Sequence, residues 1–242
     1  MKFYQDKKFL LYGFLLTLIF LFGNGNVHLF DWDEINFAEC AREMCVTGNF
    51  LYPQIGFQPF YEKPPLFFWL QSLCMAMLGI SEAAARLPDV VAGIITWLLL
   101  YQRSKRMGYA SESLGWPALY MAGFLPVMYF KSGIIDPWFN LFIFLAILKG
   151  YDFTKEAKPM QLFLSAVFLS LAVMTKGPVA WLLAIVPLSI FWFLQKNSFL
   201  QVVRNTGLLL LISLIIPGFY FIILFISGNR EFLPEFIKYQ IR

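Results

Sequence analysis

The segment PPLFFWLQSLCMAMLGI, residues 64–80, decides how this chain is threaded. It is apolar enough to pass for a membrane helix. Yet it opens on Pro64-Pro65, carries Gln71, and leaves almost no linker before the next apolar run. Further apolar runs lie near 9–23, 84–102, 113–130, 137–150, 159–175, 177–194 and 207–227, separated by short charged loops. Of the 242 residues 59% are hydrophobic and 14% charged, where soluble domains carry about 25% charged residues. This is the pattern of an all-α, polytopic helical membrane protein. A transmembrane barrel would show alternating segments of about ten residues instead.

Charge distribution sets the topology. If every run crossed, the loop Arg103-Ser104-Lys105-Arg106 would lie opposite the basic N-terminus with Lys2, Lys7 and Lys8. The loops bearing Lys149, Lys155 and Lys158, and Lys196 and Arg204, would join it there, against the positive-inside tendency. Taking 64–80 out of the spans returns all of them to the cytoplasmic side. The expectation is therefore about seven spans, N-terminus in and C-terminus out, with 64–80 a re-entrant or interfacial helix. This puts Asp33, Glu34, Glu62, Lys63, Asp136 and Lys176 on one outer face. The first run reads as an uncleaved span rather than a signal peptide, and the loop 24–63 lies outside either way.

That loop is the largest polar piece of a single expected domain, 1–242. Phe37, Ala41, Met44 and Cys45 recur at helical spacing, with Glu39, Arg42 and Glu43 on other faces. An amphipathic surface helix over 34–47 follows, ended by Gly48-Asn49. The net charge of +4 makes no case for nucleic acid, and three cysteines with one histidine offer no Cys/His metal set.

The candidate site residues each have a plainer reading. Asp31 with Glu34 three residues on resembles a capping box. A cap needs one acid, and Asp33 is left over at the membrane boundary, where a carboxylate can act as general base or hold a divalent cation. Glu62-Lys63 can be a solvated ion pair, but Pro64-Pro65 fixes the backbone where this loop meets lipid. A lysine there suits an anionic head group. Asp136-Pro137 is a sufficient helix start by itself. Lys176-Gly177-Pro178 is a tight turn that requires the glycine and proline but not the lysine. Lys176 is thus either a snorkelling side chain or a phosphate ligand. His28 and Arg86-Leu87-Pro88-Asp89 read as structural.

Taken together, Asp33-Glu34-x-x-Phe37-Ala38-Glu39-x-x-Arg42-Glu43-Met44, Gly48-Asn49-Phe50 and Tyr61-Glu62-Lys63-Pro64-Pro65 resemble the GT-C glycosyltransferases that use polyprenyl-phosphate sugars. Among these are the bacterial 4-amino-4-deoxy-L-arabinose lipid A transferases and the dolichyl-phosphate-mannose protein mannosyltransferase-like family. Asp136-Pro137 and Thr175-Lys176-Gly177 match two further landmarks in order. The resemblance implies that Asp33 is the essential acid of the first outer loop and that Glu62 and Lys63 form the Glu-Lys pair of the cavity wall. By the same resemblance Asp136 is the second-loop aspartate and Lys176 faces the donor phosphate. It also implies short juxtamembrane helices in the first outer loop and residence in a bacterial plasma membrane.

Two departures stand out. Phe37 occupies a position where tyrosine is common, and the stretch Glu235-Phe236-Ile237-Lys238-Tyr239-Gln240 lacks a histidine used by the arabinose transferases. The chain also stops at Arg242, where such proteins continue, so a fragment, a compact member or an inactive remnant is expected.

The expected activity is transfer of a sugar from a polyprenyl-phosphate donor to a lipid, glycan or protein acceptor at the outer face, with inversion. Asp33 is the catalytic base, and Glu34, Glu62, Lys63, Asp136 and Lys176 bind substrate. No cofactor is required beyond an optional divalent metal ion at Asp33, Glu62 or Asp136. The alternatives are a transporter or lipid flippase, or a non-catalytic subunit of a glycosylation complex.

Overall fold

The computed structural model describes residues 7–30, 32–108, 113–195 and 198–241. It is helical apart from one short hairpin. The helices are α1 (Lys7–Leu21), α2 (Trp32–Thr47), α3 (Leu66–Leu78), α4 (Glu82–Arg106), α5 (Gly115–Met121), α6 (Phe124–Phe130), α7 (Asp136–Glu156), α8 (Pro159–Lys176), α9 (Val179–Leu194), α10 (Phe199–Ser213), α11 (Ile215–Ile226) and α12 (Phe232–Ile241). The strands β1 (Gln54–Ile55) and β2 (Gln58–Pro59) pair antiparallel. Gly56 and Phe57 between them are both at positive φ, as a primed hairpin turn demands.

The chain folds as two compact units, Met1–Val46 with Phe68–Pro137 and Thr47–Phe67 with Trp138–Arg242. In the first unit α1 and α4 meet through small residues. Phe9 packs on Trp97 and Tyr101 at ring-centroid distances of 4.4 and 4.1 Å. A Cβ on Gly13 would lie 2.7 Å from the Trp97 ring, and one on Gly93 2.8 Å from Phe130 and 3.0 Å from Phe20. Close approach of this kind is what joins helices in lipid, where burying apolar surface gives no advantage.

In the second unit, α8, α9 and α10 enclose a core of small and apolar residues that includes Ala166, Leu169, Ala172, Ala180, Ala184 and Leu209. Polar side chains add cross-helix bonds. Ser165 Oγ donates to Ala146 O (2.7 Å), and Trp192 Nε1 donates to Thr154 Oγ1 (3.0 Å). The break between α10 and α11 is explained by Pro217, which cannot donate to the carbonyl of Ser213 four residues earlier. That carbonyl accepts instead from Ser170 Oγ at 2.9 Å, and Ser213 Oγ accepts from Trp181 Nε1 at 2.9 Å.

The chain is an integral membrane protein. Among the described residues three helical stretches are long and apolar enough to cross a bilayer: Glu82–Arg106, Pro159–Lys176 and Phe199–Ile226, the last containing the Ser213 break. Leu66–Leu78 and Val179–Leu194 are shorter apolar helices. The expected span 113–130 is two helices, parted at Ala122-Gly123 with Pro126 close behind. The run expected from 207 begins at Phe199, where Ser198 and Gln201 form a complete capping box. The outward side chains of α9 and α11, such as Leu182, Phe193, Phe219 and Ile226, are large and apolar, as lipid contact requires. The 34–47 helix exists as α2, with Phe37, Ala41 and Met44 buried and Gly48 at φ +69° after its end.

Candidate functional site

The first unit carries Asp33, Glu34 and Asp136. Asp33 is exposed in the first turn of α2, and Asp136 is half-buried where α7 begins. Asp31, expected to cap α2, lies outside the described residues, as do Lys2 and Lys196.

Glu34, expected to bind substrate, is fully buried. Arg86, itself 2% exposed, grips it with Nε on Oε1 (2.7 Å) and Nη2 on Oε2 (3.0 Å). Oε1 also accepts from the Gly133 amide at 2.8 Å, and Oε2 from the Phe30 amide at 3.1 Å. Both carboxylate oxygens are thus used within the fold. The Glu34 bond to the Phe30 amide reaches back ahead of α2.

Arg86 spends its remaining donors on loop carbonyls. Nη1 donates to Asn24 O (2.6 Å) and Val27 O (2.7 Å), and Nη2 to His28 O (3.1 Å). The planar fork suits such a fixed set of acceptors. His28 itself is exposed, with Nδ1 3.2 Å from Glu82 Oε1. Two further buried groups complete this polar knot. Asp89 Oδ2 accepts from the Ile134 amide (2.9 Å). Gln71 Nε2 donates to Ala85 O (2.9 Å) and Gly133 O (3.4 Å). Sequence reasoning set Arg86 and Asp89 aside as structural. It flagged Gln71 only as an oddity in an apolar run, which was the one available signal.

In the second unit, Glu62, Lys63 and Lys176 are half-buried. Lys63 Nζ lies 5.4 Å from the centroid of the Tyr239 ring, and Lys176 Nζ 5.5 Å from that of Phe139. Both distances suit a cation–π contact. Lys176 closes α8, and Gly177 after it takes φ +86°, so the turn is built as its residues suggest.

The last helix, α12, joins the two segments. Gln240 Nε2 donates to the Glu62 carbonyl at 3.1 Å. A Cβ on Gly177 would lie 2.9 Å from Phe236 and 3.4 Å from Gln240 Oε1. Nothing in the sequence pointed to Gln240, whose partners are far away along the chain.

Beside them is a cavity of about 290 Å³ lined by Phe60, Tyr61, Glu62, Glu235, Lys238 and Tyr239. Aromatic faces next to a few placed polar groups form an ordinary small-molecule surface. Burial, aided by the Glu231 and Glu235 carboxylates, pushes the Tyr61 hydroxyl up, so it remains a hydrogen-bond donor at neutral pH. Among the described residues no group of three or more His, Cys, Asp or Glu is placed to hold a metal ion. Phe37, in a position where tyrosine was the common residue, is buried against Phe68 with centroids 5.5 Å apart.

Known proteins can be set beside this geometry. The family model described as dolichyl-phosphate-mannose-protein mannosyltransferase matches residues 62–221. An undecaprenyl phosphate-alpha-4-amino-4-deoxy-L-arabinose arabinosyl transferase 1 of Proteus mirabilis is 27% identical over 88% of this chain and 40% of its own length. The crystal structure of ArnT from Cupriavidus metallidurans in the apo state superposes with a TM-score of 0.80 at 20% identity, covering 96% of this chain and 44% of that one. The same protein bound to undecaprenyl phosphate gives 0.73 at 17%, covering 93% and 43%. The superpositions show a shared fold. The chain spans about half the length, or less, of the curated relatives it matches.

Proposed function

This chain belongs to the dolichyl-phosphate-mannose-protein mannosyltransferase family, and on that premise we propose that it transfers a sugar from a polyprenyl-phosphate donor at the outer face of a bacterial plasma membrane. The observation that carries this reading is the cationic pair of the second unit. Lys63 follows Glu62, whose carbonyl accepts from Gln240, and Lys176 precedes Gly177, where an added Cβ would come within 3.4 Å of the same side chain. Each lysine rests on an aromatic ring, and a half-buried lysine at this position suits an anionic phosphate as a point charge. The undecaprenyl phosphate sugar in the name of the Proteus mirabilis relative, and the undecaprenyl phosphate bound by the Cupriavidus metallidurans protein, both carry such an anion.

In the proposed reaction an acceptor hydroxyl attacks the anomeric carbon of the donor sugar from the side opposite the lipid phosphate. The new carbon–oxygen bond forms as the bond to phosphate breaks, with inversion, and the phosphate leaves with the bonding electrons. Lys63 and Lys176 stabilise the charge that accumulates there. Asp33 takes the proton of the acceptor hydroxyl; for an acceptor already ionised it orients rather than deprotonates. Glu62 and Asp136 bind sugar or acceptor. No step is routed through a metal ion.

Helix lengths support the topology. α3, at 13 residues, is about 20 Å long and falls further short of a hydrocarbon core of about 30 Å than α1 at 15 or α9 at 16 residues. Counting α5 with α6, and α10 with α11, as broken spans beside α1, α4, α7, α8 and α9 gives the seven-span arrangement. The N-terminus is then inside and the site residues outside.

The test is Asp33→Asn in the full-length protein, in membranes supplied with labelled polyprenyl-phosphate sugar. Loss of a general base predicts a fall in rate of about 10²–10⁴-fold. Undiminished transfer removes Asp33 from the catalytic role, and no transfer by the unaltered protein with any such donor refutes the reaction class.

A further inference from the structure

Two consecutive backbone amides, those of Gly133 and Ile134, are held by carboxylates from two different helices: Glu34 of α2 and Asp89 of α4. Gln71 of α3 takes the Gly133 carbonyl. All three side chains are fully buried. Gly133 is closely enclosed there: a Cβ would lie 3.2 Å from both Ala85 O and Gln71 Nε2. Asp136 follows Ile134 by two residues, and Asp33 precedes Glu34 directly. The same carboxylate therefore ties the Phe30 amide, three residues before Asp33, to the turn that delivers Asp136. Asp89 Oδ1 is buried without a hydrogen-bond partner, and such groups are costly where packing alone is at stake. Asp89 is thus a side chain kept for the amide its other oxygen holds.

We propose that Glu34, Arg86 and Asp89 are positioning residues, a buried knot that fixes the Asp136 turn against the helix end that presents Asp33. This rests on the proposed roles of Asp33 and Asp136. Arg86 keeps Glu34 aimed, Glu34 and Asp89 hold the two amides, and Gln71 holds the carbonyl between them. None of the four touches substrate.

The experiment compares Asp89→Ala and Asp89→Asn in the full-length protein, with kcat and the donor KM measured beside hydrogen exchange of the 131–137 segment. Small displacements of reacting groups cost up to about 10²-fold. Asp89→Ala is therefore expected to lower kcat roughly 10- to 100-fold while the donor KM stays within about threefold. Asp89→Asn keeps an oxygen facing the Ile134 amide and is expected to restore kcat to within about threefold of the unaltered protein. The 131–137 amides should exchange faster in Asp89→Ala and at the ordinary rate in Asp89→Asn. Gln71→Met, which fills the same space without the tie to Gly133 O, should repeat the Ala pattern and serves if Asp89→Ala does not accumulate. An unchanged kcat in Asp89→Ala, or an Asn variant as slow as the Ala variant, overturns the proposal. The exchange contrast needs no transfer assay. If the unaltered protein transfers no sugar, the reaction class fails, while equal exchange in all variants still overturns the knot on its own.

Discussion

The Glu34–Arg86 pair and the lysines of the second unit hold charge near a bilayer in opposite ways. Glu34 and Arg86 are buried together, every carboxylate oxygen engaged, their charges cancelled within the fold. Lys63 and Lys176 lie half-buried over rings, which attract a cation without neutralising it. A cancelled pair determines where the backbone goes. A charge that is only half-buried can still be reached from outside the fold. Burial alone is thus a poor guide to function here, because the most buried charges are the ones that hold the structure.

The sharpest way to break this contrast is Arg86→Met. It leaves Glu34 in the interior without its partner, and removing one partner of a buried pair costs about 3–5 kcal/mol. Thermal unfolding in detergent should show a large loss, with a much smaller one when Glu34→Met is added. Retained stability in Arg86→Met would mean that the pair does not carry the fold. Lys176→Gln is expected to do the reverse. Unfolding should be nearly unchanged, while transfer falls by about 10²–10³-fold as phosphate charge goes unmet. A lysine variant that unfolds as readily as Arg86→Met would erase the distinction between the units.

A smaller effect sharpens it at the surface. Glu39 and Arg42 form a bonded pair on α2, 2.6 Å between Oε1 and Nη2, and that contact, above all, holds the Glu39 carboxyl below its usual range. A depressed carboxylate contributes stability above its unfolded-state pKa and loses it as pH falls through the folded value. Glu39→Gln should therefore remove about 0.2–1 kcal/mol at neutral pH and nothing in strong acid, seen as a flatter pH profile of unfolding.

What the sequence revealed follows the range of the interactions. α2 was legible from spacing, since Phe37, Ala41 and Met44 fall on one helical face and do pack inward. The Lys176-Gly177-Pro178 turn was legible because its residues have local reasons to be there. Glu43, assigned to another face by the same spacing, is buried, because the surroundings of α2 come from distant segments. Glu34 needed Arg86, 52 residues on, before its role could be seen. The division of 113–130 had its signals in Gly123 and Pro126, outweighed by the apolar content around them.

The bond from Gln240 to the Glu62 carbonyl spans 178 residues. Ribosomes add about 5–20 residues per second, so the loop bearing Glu62 and Lys63 leaves the ribosome roughly 10–40 s before the side chain that ties it down. The Glu34–Arg86 clasp closes over 52 residues and can form after roughly 3–10 s. During synthesis the first unit can set while the lysine-bearing loop of the second still waits for its last fastening, and a nascent chain arrested before residue 240 would carry one without the other.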